Sequence, residues 1–296
     1  AMKYFILGAL ASGLLLYGMS LLYGLTGSLS LNQISDSTLT RLDPSSLPLT
    51  LAVVMVIAGL LFKLGAVPFH MWVPDVYEGS ATSTTLYLSA VPKLAAFAIL
   101  LRLLISGLGG WLEIWQDVIL VAAVLSIGLG NIIAIAQSNI KRMFAYSTIS
   151  HMGFLLLGFS TAGELGLSAA MMYTLIYMFT TLVAFGVVLA LSRPGFECDQ
   201  LDDLRGLNRR NPLLALMMLV AMFSLAGIPP TAGFFAKLFV LEAALEAGFI
   251  EIVVVAVLFA VVGAFYYLRI VKLMYFDDPS PHLLSASSYG YRPVVG

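Results

Sequence analysis

The chain reads as long apolar stretches parted by short polar ones. Runs with few or no charges cover Tyr4 to Tyr23, Leu49 to Trp72 (interrupted by Lys63), Thr84 to Ile105 (holding Lys93 and Arg102) and Asp117 to Lys141. Further runs cover Arg142 to Glu164, Glu164 to Arg193, Arg210 to Lys237 and Glu251 to about Tyr275. A helix needs about 20 mostly apolar residues to cross a bilayer. The pattern therefore predicts an all-α, polytopic transmembrane helix bundle of about eight spans. Between them, Thr26 to Pro48 is rich in Ser, Thr and Asp and is expected as an extramembrane loop. Trp111 to Asp117 is expected as a turn, with Trp111 and Trp115 as an interfacial girdle. Arg193 to Pro212, with four arginines and four acids, is expected as a surface segment. Residues 1–276 then form one transmembrane domain, and residues 277–296 a polar tail.

Composition strengthens this picture. Hydrophobic residues make up 60% of the 296, charged residues 10%, and mean hydropathy is +0.98. An ordinary globular chain carries about 25% charged residues, so a soluble enzyme and a disordered chain are both excluded. The net charge of −1 offers phosphate no attracting field, so no nucleic-acid partner is expected. One cysteine, Cys198, and three scattered histidines supply neither a disulfide framework nor the spacing of a zinc, haem or iron–sulfur site. No Gly-rich loop opens a nucleotide site. No cofactor is therefore expected in this chain, and the lipid bilayer is its surroundings. Ala1-Met2-Lys3 leads almost directly into a span without a signal-peptide pattern, and an excerpt of a longer protein is expected.

Charge also orients the bundle. Alternating through eight spans, one side receives Lys3, Lys141-Arg142, the arginines of residues 193–210 and the Arg269/Lys272 end, while the other receives only Arg41 in its loops. The positive-inside rule makes the first side cytoplasmic; the inner (plasma) membrane of a cell is the expected location.

Chemistry enters through charges placed within apolar runs. Lys63 and Lys93 each follow fourteen uncharged residues and are expected at mid-depth, where an unpartnered lysine costs about 2.5–3.5 kcal/mol. Arg102, Arg269 and Lys272 lie near span ends and read as snorkelling side chains. Pro68 follows Lys63 within the same run and should free the carbonyl of Leu64. Pro229 and Pro230 should free those of Leu225 and Ala226, with Lys237 beyond them. Broken helices are tolerated at membrane depth only where protein or water satisfies the freed groups. Two of them, each with a lysine, point to a binding site in paired repeats. A desolvated ammonium gives up its proton more readily than one in water, which suits lysine to proton handling. Polar stations between the lysines are His70, Thr84, Thr85, Ser89, Tyr146, Ser147, Ser150 and His151. His151 reads equally as a satisfied core histidine or as a relay, and Lys141 as a proton entry group or as a positive-inside anchor. The tyrosines and methionines read as lipid-facing packing and interfacial anchors.

The run Phe62-Lys63-Leu64-Gly65-Ala66-Val67-Pro68-Phe69-His70-Met71-Trp72-Val73-Pro74-Asp75-Val76-Tyr77-Glu78-Gly79 resembles the antiporter-like membrane subunits of respiratory complex I, the NADH–quinone oxidoreductases. Asn139 to Arg142, Tyr146 to Gly153 and Ser224 to Lys237 carry the same likeness. The resemblance covers residues 1–276 and implies an antiporter-like fold with inverted repeats and two broken helices. It also implies a proton relay through Lys63, Lys93, Lys237, His151 and Lys141. NADH, FMN, iron–sulfur clusters and quinone are implied in partner subunits, and other membrane subunits, notably neighbouring antiporter-like ones, as partners. A glutamate that pairs Lys63 in the family would lie upstream of Ala1. Ser80-Ala81-Thr82-Ser83-Thr84 replaces the family's usual prolines. The alternative implied by the same lysines is a subunit of a multi-subunit sodium/proton antiporter; Asp75 to Gly79 and Lys93 favour complex I.

Overall fold

The structure, a computed structural model, describes residues 2–40, 46–193 and 196–279. Its helices are α1 (Met2–Thr26), α2 (Leu31–Thr40), α3 (Leu47–Leu64), α4 (Trp72–Gly79), α5 (Thr82–Leu100) and α6 (Leu112–Ile135). There follow α7 (Ile140–Ser160), α8 (Glu164–Leu191), α9 (Leu207–Arg210), α10 (Pro212–Ala226), α11 (Ala232–Glu246) and α12 (Ile250–Tyr275). A π-helical turn, Leu101–Gly107, extends α5, which also contains Pro92. Most of the polar tail, from residue 280 onward, and Arg41 lie outside the described residues.

Among the described residues, six helical stretches are long and apolar enough to span a membrane: α1, α3, α5 with its π turn, α6 with the turn before it, α8 and α12. The other two of the eight expected passes are built differently. The α10–α11 pass is broken in two, and α7 owes its place to burial, since nearly every one of its residues is covered. It packs against α4, α6, α8 and α11, and enclosure by protein is what lets a helix hold Ser147, Thr148, Ser150 and His151 at membrane depth. Its contact with α6 is close. A Cβ on Gly153 would lie 2.7 Å from the Ala123 carbonyl oxygen, and one on Gly130 2.8 Å from that of Tyr146. Small residues let the two backbones touch.

Two expectations of the polar stretches are corrected. Thr26 to Pro48 contains a helix, α2, whose Ile34 is buried in the core and whose Leu31, three residues before it, lies against Gly107. Trp111 and Trp115 form no interfacial girdle: both are buried, and Trp115 donates to the Leu108 carbonyl at 3.1 Å while packing on Phe159.

The basic groups collect at one end of the bundle. Lys3 pairs with Asp75; Arg142 reaches Asp75 at 3.0 Å and Glu78 at 2.7 Å; Lys141 reaches Glu197 at 2.6 Å. Arg205 and Lys272 both approach Asp277, Arg209 pairs with Asp278, and the Gly206 amide donates to the Leu273 carbonyl. The start of α1, α4, the start of α7, α9 and the end of α12 therefore share one end, with α2 at the other.

Candidate functional site: two helix breaks, each holding a lysine

Both breaks begin with the same local chemistry. Gly65 follows α3 at φ 78°, and its amide and that of Ala66 turn back to the Leu61 carbonyl. Gly227 follows α10 at φ 81°, and its amide and that of Ile228 turn back to Phe223. This is the glycine-ended helix stop, in which a left-handed residue costs no Cβ clash. The chain then enters a proline segment, with cis peptide bonds at Val67-Pro68 and Pro229-Pro230. Proline has no amide to continue a helix, so the last carbonyls of α3 and α10 are left without backbone partners.

Those carbonyls are taken by buried lysines. Lys93 Nζ donates to the Leu64 carbonyl at 2.7 Å and lies 3.4 Å from that of Lys63. Lys237 Nζ donates to Leu225 at 2.9 Å and Ala226 at 3.0 Å. The freed acceptors are those expected from the proline positions. Each ammonium also sits over an aromatic face, Lys93 over Trp72 at 4.8 Å and Lys237 over Phe154 at 5.3 Å, a contact worth up to about 2 kcal/mol when desolvated. Serines complete each break: Ser126 Oγ accepts from the Val67 amide at 2.9 Å, and Ser224 Oγ from the Gly233 amide at 3.1 Å.

The breaks are inverted relative to one another. The α3 helix runs toward its break from the end that carries α2, and α4 continues to the Asp75–Glu78 ion pairs. The α10 helix starts at the opposite end, capped by the Asn211 side chain, and α11 leads away from it.

Lys63 departs from expectation. It lies within reach of Ser12 near the middle of α1, but its side chain is exposed. Only its backbone carbonyl belongs to the buried site, because successive positions on α3 point in different directions and the break presents carbonyls to Lys93. The expected single buried line of Lys63, Lys93 and Lys237 is corrected accordingly, and Lys93 is the lysine at the first break.

His151 is brought to Lys237. Both line a small cavity, about 10 Å³, on the scale of one water, together with Tyr173, Tyr177 and Ser224. His151 Nδ1 lies 2.6 Å from the Tyr173 hydroxyl and Nε2 3.0 Å from that of Tyr267, which also contacts Ser147. The tyrosines are the residues that the sequence pattern misassigned: Tyr173, Tyr177, Tyr266 and Tyr267 are buried in this network, not lipid-facing. A signal existed in Tyr173 and Tyr177, four apart and so on one face of α8. Asn131 joins the set, donating to Ser150 at 2.8 Å and accepting from Tyr266 at 3.0 Å. Thr85 and Ser89 are satisfied by backbone carbonyls, and Thr84 is exposed. Lys141 stands at the bundle's end, buried, bonded to Glu197 and to the Ser80 carbonyl at 3.1 Å.

A bundle with two inverted, glycine-ended helix breaks and a buried lysine in each is the architecture of antiporter-like membrane subunits. Residues 1–263 match the family described as NADH:quinone oxidoreductase/Mrp antiporter, transmembrane, and the chain belongs to it. It is 60% identical over 283 residues to the NADH-quinone oxidoreductase subunit N of Thiobacillus denitrificans, covering 94% of this chain and 58% of that protein. It is 57% identical to the subunit N of Nitrosomonas europaea with the same coverage. The chain thus spans a little over half the length of these relatives. Among solved structures it resembles respiratory complex I from Thermus thermophilus, with TM-score 0.79 and 37% identity over 97% of this chain and 63% of that one. It also resembles the Mrp complex from Dietzia sp. DQ12-45-1b, with TM-score 0.85 and 28% identity over 94% of this chain and 51% of that one.

Proposed function

We propose that this chain forms part of a proton-translocating membrane subunit of an NADH–quinone oxidoreductase, with Lys93 and Lys237 as its proton-carrying groups. One observation carries the reading: each lysine is held by a pair of carbonyls that its helix break sets free. A neutral amine keeps two N–H donors and an ammonium has three. The two carbonyls can therefore hold the side chain in either state, while the third proton comes and goes. His151, with its two tyrosine partners, serves as the relay beside Lys237, and Lys141 exchanges protons at the cytoplasmic surface. Lys63 acts at the exposed face of α3, toward a carboxylate supplied from outside residues 1–296. Residues 1–276 act as one antiporter-like domain.

In this reading electrons never enter the chain. NADH, FMN, iron–sulfur clusters and quinone belong to partner subunits, and charge shifts reach the lysines through neighbouring antiporter-like subunits. The protein crosses the inner membrane with Lys141, Arg142 and residues 193–210 in the cytoplasm. The sodium/proton antiporter alternative is less favoured by identity, at 28% to the Mrp chain against 60% to a subunit N. The test is proton pumping by the whole complex in inverted vesicles. Lys93→Ala and Lys237→Ala should assemble yet lose pumping and coupled turnover, and Lys→Arg should not restore them, since arginine stays protonated. Full pumping by a well-assembled double variant would refute the assignment.

A further inference from the structure

Beyond the Lys237 cavity lies a second one of the same size, about 10 Å³, lined by Phe144, Ser147, Thr148, Tyr177, Thr181 and Phe185, with Leu225 at its edge. Tyr177 and Leu225 line both cavities. Tyr177 thus stands between them, its hydroxyl donating to Thr148 Oγ1 at 2.8 Å. The Thr181 hydroxyl is buried at the second cavity, near that of Tyr177, and makes no hydrogen bond of ordinary geometry. Leaving a buried hydroxyl without a partner is unfavourable, and a water in a polar site of this size removes that cost. The second cavity lies toward the Lys141 end, because Phe144 and Ser147 are in the first turns of α7 and Phe185 is near the end of α8. There the Phe144–Phe185 ring pair, with centroids 5.2 Å apart, closes it.

We propose that these two cavities are successive water sites on the path by which Lys237 exchanges protons with the Lys141 end, and that Tyr177 and Thr181 position the waters across the partition. This rests on the proton-carrying role of Lys237. Of the other described hydroxyls lining the two cavities, Thr148 and Thr180 donate to the carbonyls of Phe144 and Ile176, Ser147 is bonded to Tyr267, and Ser224 accepts from the Gly233 amide. Thr181 is therefore the hydroxyl left to bond a water between the cavities, and Tyr177, whose proton goes to Thr148, keeps its oxygen to accept from that water.

The test compares Thr181→Val, Thr181→Ser, Tyr177→Phe and Lys237→Ala in the whole complex, reading assembly, protons moved per NADH oxidised and the solvent deuterium isotope effect on turnover. Thr181→Val is near-isosteric and Thr181→Ser keeps the hydroxyl. The expected result is normal assembly throughout, a fall of about threefold or more in coupled turnover with a raised isotope effect for Thr181→Val and Tyr177→Phe, and near-normal behaviour for Thr181→Ser. Equal impairment of Thr181→Ser and Thr181→Val would mean that the side chain only packs, and would overturn the proposal. So would normal turnover and isotope effect in Thr181→Val and Tyr177→Phe beside an impaired Lys237→Ala, which leaves the function standing and removes the path. Full pumping by Lys237→Ala would remove both.

Discussion

At the first helix break the lysine arrives from another helix: Lys93, on α5, lies twenty-nine positions beyond the Leu64 carbonyl it binds. At the second it comes from the far half of the same broken helix, Lys237 being twelve and eleven positions from Leu225 and Ala226. The helix stops themselves agree in detail, with a left-handed glycine, a proline segment, a serine accepting a loop amide and an aromatic face under the ammonium. The difference shows that the break poses the problem and the cation solves it. Carbonyls freed at membrane depth need donors, and any helix that places a lysine over the stop can supply them. The surroundings differ as well. Lys237 opens onto a cavity shared with His151, whereas Lys93 is packed under Trp72 beside Gly65.

The largest effect tests whether the two lysines act alike. Lys93→Ala and Lys237→Ala should each lower coupled turnover at least about tenfold, equivalent to 1.4 kcal/mol on the barrier. Each also orphans two buried carbonyls, with a penalty of about 1–3 kcal/mol apiece unless water enters. Water can enter beside Lys237 more readily than beside Lys93, so Lys93→Ala should lose more thermal stability. Lys63→Ala should lose almost none within this chain, because its side chain is exposed and its carbonyl remains. Equal destabilisation by Lys63→Ala and Lys93→Ala would break the distinction drawn between them.

Next come the glycines. Alanine at Gly65 or Gly227 must adopt a positive φ, which costs about 1–3 kcal/mol for a residue with a side chain. A new Cβ at Gly65 would lie 2.6 Å from Val73 Cγ2 and 3.2 Å from Lys93 Nζ; at Gly227 its nearest neighbour is Lys237 Cδ at 2.9 Å. Lysine methylenes move more easily than a packed valine. Gly65→Ala should therefore be the more destabilising of the two in thermal unfolding of the complex, and Gly227→Ala should act chiefly on turnover by displacing Lys237. The reverse order would show that the second stop is the stiffer.

Much of this comparison was legible in the sequence. Pro68 and Pro229-Pro230 named the freed carbonyls of Leu64, Leu225 and Ala226, because a proline's effect on the preceding turn is local. The partner of the first break was not legible. Lys63 is nearest in sequence, yet only tertiary packing decides that it turns outward and that Lys93, on the next span, turns in. Tyr173, Tyr177 and Tyr267 were misassigned for a related reason: composition cannot separate a tyrosine at a lipid interface from one bonded to a buried histidine. The α2 helix escaped notice because its sequence is mostly polar and too short to register as a span, although Ile34 is buried.

The serines should give a smaller, paired effect. Ser126→Ala removes the acceptor for the Val67 amide and Ser224→Ala that for Gly233. Each leaves a buried donor unmet, at about 1–3 kcal/mol before any relaxation. Ser224 lines the Lys237 cavity, where a water can replace its oxygen, and Ser126 lines neither of the two water-sized cavities. Ser126→Ala should accordingly lower the thermal midpoint more, while Ser224→Ala changes turnover more. Thermal unfolding alongside NADH-driven pumping for the two variants would separate these outcomes.

The smallest effect concerns the helix beyond each break. The α4 helix is tied down by Lys3, Asp75, Glu78 and Arg142, whereas among the described residues no ion pair joins α11. Asp75 is held below the usual carboxylate value, first by its bond from Lys3 and then, against some desolvation, by Arg142 at 3.0 Å. A depressed carboxylate stabilises the fold above its unfolded value, near 3.9, and that contribution disappears as pH falls through the lower folded value. Asp75 is 38% exposed, so solvent screening keeps the contribution within about 0.2–1 kcal/mol. Asp75→Asn should therefore lower the thermal midpoint slightly and evenly between about pH 8 and pH 5, with the difference from wild type shrinking below about pH 4. Added salt should shrink it at neutral pH as well, because the charges lie at the surface. A loss of several kcal/mol at pH 7, insensitive to salt, would instead make these ion pairs the clamp that holds the first break open, a feature with no counterpart at the second.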